Sequence, residues 1–407
     1  MSTRSSKQLL EFSALAFLAA LLPFAHLAFS QLFDQVMPMN DVLLYGWWLQ
    51  QMQLGEPIFG VAQTFVYPYP SLLPMLLAKA FGGSAGILIG WCALIAGLNV
   101  LAIGVVTRWS SGSRQSFMAA WFWLIYLVVL GPAGIARIDA VSVSLAIIGL
   151  VYFAKGKTLE AVALFTFGAW IKIWPFVLAI AAFVSDKSKK LMSYAAMTVV
   201  AAVFLAAFVL GANSSVFSFV TMQGNRGIQI EAPIATFWLW AAKFGFANAG
   251  IYYDKNIITN QISGDGVALV SGLMTPAMFI ALAITFWLAF KAVRAGAERN
   301  QLFAAIAVTA VLDLIVFNKV GSPQFMAWLA VPVMAWIYFE QPIKKLLLAG
   351  FLSVAFLTNL IYPVFYLDLM GLGDISVSLL TARNLLLIAL LVWANLQLGK
   401  LGKPIRN

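Results

Sequence analysis

The sequence predicts an all-α polytopic membrane protein, and three observations carry that prediction. Of 407 residues, 62% are hydrophobic and only 10% are charged. An ordinary soluble domain carries roughly a quarter charged residues, and a soluble fold of this length would still expose most of its surface to water. The apolar residues fall in long runs separated by short polar links, and the basic residues cluster in those links. Aromatics are abundant, with 14 Trp and 32 Phe, as membrane interfaces favour.

Apolar stretches lie near 9–30, 84–107, 116–132, 138–154, 159–171, 173–185, 191–211, 266–290, 301–317, 324–339, 346–362 and 378–398. Taken as transmembrane helices they number about twelve, some short or partial, within a single transmembrane domain covering 1–407. The run at 9–30 is long enough to span and lacks a small-x-small cleavage site, so it reads as a span and not as a signal peptide. Segments 42–54, 70–82 and 234–249 are apolar but short, amphipathic or broken by Pro and Gly, and are expected as helices lying in the interface. Spans 159–171 and 173–185 would each reach about 20 Å as helix against a hydrocarbon core of about 30 Å. They form a partial hairpin entering from the cytoplasmic side, with Lys172 and Pro175 at its tip. A lysine at that depth needs an anionic partner or a wet cavity.

Charge sets the orientation. With the N-terminus inside, the cytoplasmic segments hold Arg4, Lys7, Arg108, Arg114, Lys155, Lys157, Lys187, Lys189, Lys190, Lys291, Arg294, Arg299, Lys344, Lys345, Lys400, Lys403 and Arg406, which is 17 of the 25 basic residues. The positive-inside rule therefore puts both termini in the cytoplasm. Asp34, Asp41, Glu56, Asp139, Glu231, Asp254, Asp265, Asp368 and Asp374 map to the other side, as do the long loops 31–83, 212–265 and 363–377. Loops on a rigid scaffold carry function, so the working face is expected to be extracytoplasmic, on loops 31–83, 212–265 and 318–323. The net charge of +10 does not point to nucleic acid, because its basic residues stand between apolar runs and form no soluble basic face. One cysteine, Cys92, and one histidine, His26, exclude a disulfide and a His or Cys metal cluster.

Four segments carry candidate chemistry. The first loop contains Asn40-Asp41-x₃-Tyr45, Gly55-Glu56-Pro57-Ile58 and Phe65-Val66-Tyr67-Pro68. Asp41 begins an amphipathic segment, where a carboxylate either caps a helix or takes a proton from an acceptor hydroxyl. The third loop runs from Gln223 to Pro233. Arg226, Gln229 and Glu231 alternate there with Ile228 and Ile230, so in an extended chain Gln229 and Glu231 share one face, suited to sugar hydroxyls and a phosphate. The short link Asn318-Lys319-Val320-Gly321-Ser322-Pro323-Gln324-Phe325 places Ser322 and Pro323 as N-cap and N1 of a helix, whose N-terminus would join Lys319 in an anion site. Arg137 and Asp139 make a fourth charged pair at the outer end of a span, where they can satisfy each other.

Together these segments resemble the polyprenyl-phosphate-sugar-dependent glycosyltransferases of the GT-C superfamily, and most closely the bacterial mannosyltransferases of glycosyltransferase family 87. The resemblance covers about residues 10–340 and is most specific in the block from Asn318 to Trp328. It implies a GT-C-like fold in a bacterial plasma membrane and an inverting transfer, on the extracytoplasmic side, of a sugar from a polyprenyl-phosphate donor to a glycolipid or lipoglycan acceptor. Mannose is the sugar it implies first. By match to the family's first loop, Asp41 becomes the general base. Lys319, Arg226 and Lys172 become candidate ligands of the donor phosphate, with Gln229, Glu231, Tyr45, Tyr67, Gln324, Asn318, Arg137 and Asp139 around the sugar or acceptor. Asn40 precedes Asp41 where some relatives carry a second acid, so no metal and no cofactor are expected; fixed cations can stabilise the leaving phosphate. The rival reading is a transporter or lipid-linked-sugar flippase, but no internal repeat of the kind transporters show is visible.

Overall fold

Backbone N–H and C=O groups have no partner in lipid, so an apolar run that crosses a bilayer closes its hydrogen bonds within itself and becomes a helix. A computed structural model describes residues 3–224, 226–255, 257–339 and 345–402. Lys344, Lys403 and Arg406 of the basic set, and Asn225 of the third loop, lie outside the described residues.

Helix α1 (Thr3–Ser30) is followed by α2 (Asn40–Gln53), α3 (Leu72–Gly82), α4 (Ile87–Val106), α5 (Arg114–Leu130) and α6 (Asp139–Ala154). Next come α7 (Thr158–Ile171), α8 (Phe176–Ser185), α9 (Lys189–Val209), α10 (Ser218–Gly224) and α11 (Thr236–Phe244). A hairpin, β1 (Gly250–Asp254) and β2 (Thr259–Ser263), precedes α12 (Val267–Arg294) and α13 (Arg299–Val316). The chain ends in α14 (Ala330–Tyr338), α15 (Lys345–Asn359), α16 (Tyr366–Met370) and α17 (Asp374–Leu401). Among the described residues eight helices are long and apolar enough to cross a membrane: α1, α4, α5, α9, α12, α13, α15 and α17. The protein is an all-α polytopic membrane protein.

The remaining apolar stretches are shorter. Helices α6, α7 and α8 are apolar but below full spanning length. The stretch expected at 324–339 divides into a 3-10 segment, Pro323–Leu329, that runs on into α14. The three segments expected as interfacial helices are helical, as α2, α3 and α11. The expected loop at 363–377 is largely helical, because α16 occupies its middle and α17 already starts at Asp374.

Burial separates the helices into a centre and a rim. The apolar window of α13 is 78% buried, against 17% for α12 and 22% for α1; α13 is wrapped by protein while α12 and α1 turn most of their surface outward. Small residues allow the closest approaches. A Cβ on Gly90 of α4 would stand 1.8 Å from the Ala78 carbonyl oxygen of α3, so α3 rests backbone to backbone on α4.

The hairpin was not anticipated. Its strands pair antiparallel, Gly250 opposite Ser263 and Asp254 opposite Thr259, and Ile228–Ile230 lies alongside it through Ile262 N–H to the Ile228 carbonyl (2.9 Å). Ile228 and Ile230 are buried as their alternation predicts. The extended geometry stops there, because the Ala232 N–H bonds the Gln229 carbonyl at 3.0 Å and closes a turn.

Candidate functional site

Asp41 stands in the first turn of α2, but its side chain does not cap the helix. Its Oδ2 lies 2.6 Å from Arg137 Nε, and about a third of the carboxylate side chain stays exposed (32%) while Arg137 is nearly enclosed (11%). Arg137 is fixed in turn: Nη1 donates to the Pro38 carbonyl (2.7 Å) and Nη2 to the Tyr362 hydroxyl (3.2 Å). The guanidinium therefore ties the chain entering α2, the chain entering α6 and the end of the α15 span to one point. Tyr45, fully buried on α2, accepts the Ile138 N–H through its hydroxyl at 2.9 Å and locks the same two elements.

Arg137 and Asp139, expected to be able to satisfy each other, do not. Arg137 precedes α6 and Asp139 is its first residue, so the two side chains leave the backbone in different directions and find partners on other elements. Asp139 is buried; its Oδ1 accepts the Trp328 indole N–H (2.8 Å), and its Oδ2 lies 3.7 Å from Lys172 Nζ. Lys172 occupies the break between α7 and α8, where the sequence placed it. Its ammonium lies 4.8 Å from the Tyr67 ring centroid and 5.8 Å from that of Phe325, the geometry of a cation over an aromatic face. The lysine thus has the anionic partner its depth demands.

Lys319 and Arg226 make a second cationic group. Lys319 is buried and donates to the Gly224 carbonyl at 3.0 Å. Burial, reinforced by the neighbouring Arg226, lowers the Lys319 pKa. Burial also lowers the pKa of Arg226, against an opposing pull from Tyr67. The Arg226 Nε is enclosed without a hydrogen-bond partner. Among the described residues neither cation has a carboxylate within ion-pair distance. Burial pushes the Tyr67 phenol up, and so do Asp41 and Asp139. Tyr67 therefore carries Lys172 on its ring and feels both carboxylates, and it acts on Arg226 in turn.

The remaining candidates divide. Gln229 and Glu231 do not present one face, because the turn between them sends the side chains apart. The Gln229 amide donates to Thr259 Oγ1 (2.9 Å) and accepts from Ser322 Oγ (3.2 Å). Ser322 is the N-cap residue, as expected, with Pro323 after it, but its hydroxyl serves Gln229 and makes no cap bond. Asn318 Oδ1 accepts the Val320 N–H (2.9 Å) and shapes its own turn. Gln324 is buried at the start of the 3-10 segment. Glu231 lies 3.7 Å from Nη1 of Arg383, whose Nη2 donates to the Glu231 carbonyl. Burial pushes the Glu231 carboxyl up to about 7, against the pull of Arg383 and Arg137.

Arg383, Tyr362 and Trp328 complete these networks. Trp328 stood in the quoted motif without a role, and Tyr362 gave no local signal. Arg383 did: an arginine inside the apolar run 378–398 is unusual enough in a membrane to mark a buried partner. Elsewhere, His26 meets the Leu127 carbonyl within its helix packing (3.1 Å). Among the described residues no three His, Cys, Asp or Glu side chains come together to hold a metal ion.

In this multi-pass membrane protein Asp41, Asp139, Lys172 and Arg226 all act on one tyrosine, Tyr67. Residues 65–318 match glycosyltransferase family 87, and the chain belongs to that family; it is a membrane glycosyltransferase. The match is narrower than the 10–340 expected. Tyr67, Arg137, Asp139, Lys172, Arg226, Gln229, Glu231 and Asn318 fall within it, whereas Asp41, Tyr45, Lys319 and Gln324 fall outside. No curated protein matches the chain.

Proposed function

We propose that this glycosyltransferase moves a sugar, mannose first among candidates, from a polyprenyl-phosphate donor to a hydroxyl of a glycolipid or lipoglycan. Asp41 acts as general base: it removes the acceptor hydroxyl proton as that oxygen attacks the anomeric carbon. The bond from the anomeric carbon to the phosphate oxygen breaks, its electron pair leaves with the lipid phosphate, and the anomeric configuration inverts. Lys319 and Arg226 hold the leaving phosphate, with Lys172 beside them, because fixed cations in an enclosed site stabilise developing charge strongly.

The observation that carries this reading is the Arg226–Lys319 pair. A buried lysine and a half-buried arginine that repel each other, without a carboxylate partner among the described residues, are costly unless an anion joins them. Tyr67 feels Asp41 and acts in turn on Arg226. A donor whose tail stays in the bilayer presents its phosphate near headgroup depth, beside a site carried on loops. The distribution of 17 of the 25 basic residues supports cytoplasmic termini, and the membrane we propose is a bacterial plasma membrane. The same distribution supports a working face on the extracytoplasmic loops 31–83, 212–265 and 318–323.

The test is transfer of radiolabelled mannose from polyprenyl-phosphate mannose to candidate glycolipids by the purified protein in proteoliposomes. Wild type is expected to form labelled product, and Asp41→Asn to form none while still binding donor. Full activity in Asp41→Asn would remove the base assignment, and polyprenyl-phosphate arabinofuranose acting in place of the mannose donor would reassign the sugar.

A further inference from the structure

Helices α12 and α17 both end at one rim of the protein, and α13 starts there. Between the three runs an apolar groove of about 650 Å³, walled by Ile284 and Leu288 of α12 and by Leu391, Leu396 and Gly399 of α17. Two polar residues also line it, Asp313 and Asn395, and both are hydrogen-bonded within the protein. Asp313 accepts the Thr285 hydroxyl at 2.6 Å, and the Asn395 amide donates to the Leu391 carbonyl of its own helix at 3.1 Å. The groove therefore offers an apolar occupant a wall with its hydrogen bonds already made.

Its mouth is basic. Lys400 lines the end of the groove. Lys291 lies on the same face of α12 as Ile284 and Leu288, seven and three residues on, and a Cβ on Gly402 would touch its Cβ at 3.2 Å. Arg294 follows one turn later. Lys291 and Arg294 sit over exposed Trp287 and Phe290, at 3.5 and 4.4 Å from the ring centroids, an aromatic belt with cations at headgroup depth. The carboxylates on this rim are engaged elsewhere: Asp186 binds Arg299, Glu298 accepts the Asn300 and Gln301 N–H groups, Glu160 faces Lys157, and Glu11 accepts the Trp121 indole. Among the described residues Lys291, Arg294 and Lys400 have no acidic partner.

The geometry points to a binding site for an anionic phospholipid of the adjoining leaflet. One acyl chain fills the α12–α13–α17 groove, and the phosphate meets Lys291, Arg294 and Lys400. Basic pockets between membrane helices recognise anionic headgroups in this way. The site lies outside the groups assigned to sugar transfer, so it stands or falls independently of that assignment.

The experiment is native mass spectrometry of the full chain from mixed micelles containing phosphatidylglycerol or phosphatidylcholine. Wild type is expected to retain one phosphatidylglycerol and no phosphatidylcholine. Lys291→Gln and Lys400→Gln should each weaken retention about fivefold. Gly399→Leu, whose new side chain enters open space, should reduce it with every charge kept. Equal retention of the two lipids overturns the site, as does unchanged retention in the charge variants. If Gly399→Leu retains lipid as wild type does, the attraction is to the basic rim alone and the groove is excluded.

Discussion

The Asp41 carboxylate meets Arg137 Nε at 2.6 Å, and that guanidinium also holds the Pro38 carbonyl and the Tyr362 hydroxyl. Three differently directed bonds need the planar fork of arginine; a lysine ammonium on a flexible stem cannot hold all three. Arg137→Lys should keep a positive charge near Asp41 but let the carboxylate drift. A catalytic group misplaced by about 1 Å loses roughly a hundredfold in rate, so kcat should fall by about that factor with donor KM changing far less. Transfer kinetics of the purified variant check this, and an unaltered kcat would detach Arg137 from positioning the base.

Lys319 should act on the donor and not on the acceptor. Lys319→Ala is expected to raise the donor KM about tenfold or more, the scale of one charged hydrogen bond, and to leave the acceptor KM near wild type. Burial and Arg226 lower the Lys319 pKa, so its ammonium loses its proton at a lower pH than an exposed lysine does. Donor affinity should therefore weaken as pH rises on the alkaline side, and this limb should vanish in Lys319→Ala. A rise confined to the acceptor KM would take Lys319 away from the phosphate.

How much of this was legible follows from how local each signal is. Helices α2, α3 and α11 announced themselves through short apolar runs bounded by Pro or Gly. Asp41 did so through its place at the start of α2, and Lys172 through its depth between two short helices. The pairings were not legible. Asp41 meets an arginine 96 positions away, and Asp139 meets Trp328 across 189, so no spacing rule reaches them. Read alone, the adjacency of Arg137 and Asp139 suggested the wrong pair. The β1–β2 hairpin stayed hidden because five-residue strands rich in Tyr, Thr and Ile look like any polar loop among apolar spans. Gln229 and Glu231 alternated correctly with buried isoleucines, but the turn after Gln229 could not be read from alternation.

Gly321 makes room for the third loop. A Cβ there would stand 2.1 Å from the Ala232 nitrogen and 2.4 Å from the Glu231 carbonyl carbon, both backbone atoms that cannot swing aside. Gly321→Ala should push the 226–233 segment away from the Lys319 link and separate Arg226 from Lys319. Donor binding should fall at least tenfold although every charged group remains, an effect on the scale of about 1.4 kcal/mol or more. Donor titration in detergent measures this, and wild-type affinity would show that the close contact is without consequence for the site.

Glu231 gives a prediction about stability. Its carboxyl is enclosed beside Arg383, and burial pushes it up to about 7, whereas an unfolded glutamate titrates near 4.3. A raised carboxyl pKa means that the folded state holds the proton over a range where the unfolded state has released it. Stability from this group is then fully present below about pH 4, declines as pH rises, and is lost above about pH 7. The total change is on the order of 3 to 4 kcal/mol for a shift of this size. Glu231→Gln cannot titrate and keeps a carbonyl oxygen for Arg383. Leaving Arg383 without its charged partner adds a constant offset, which the slope does not contain. Thermal unfolding of both proteins between pH 5 and 8 should therefore show wild type losing ground steadily to the variant. Parallel curves across that range would mean that Glu231 is ionised throughout and that the Arg383 pair is a simple ion pair.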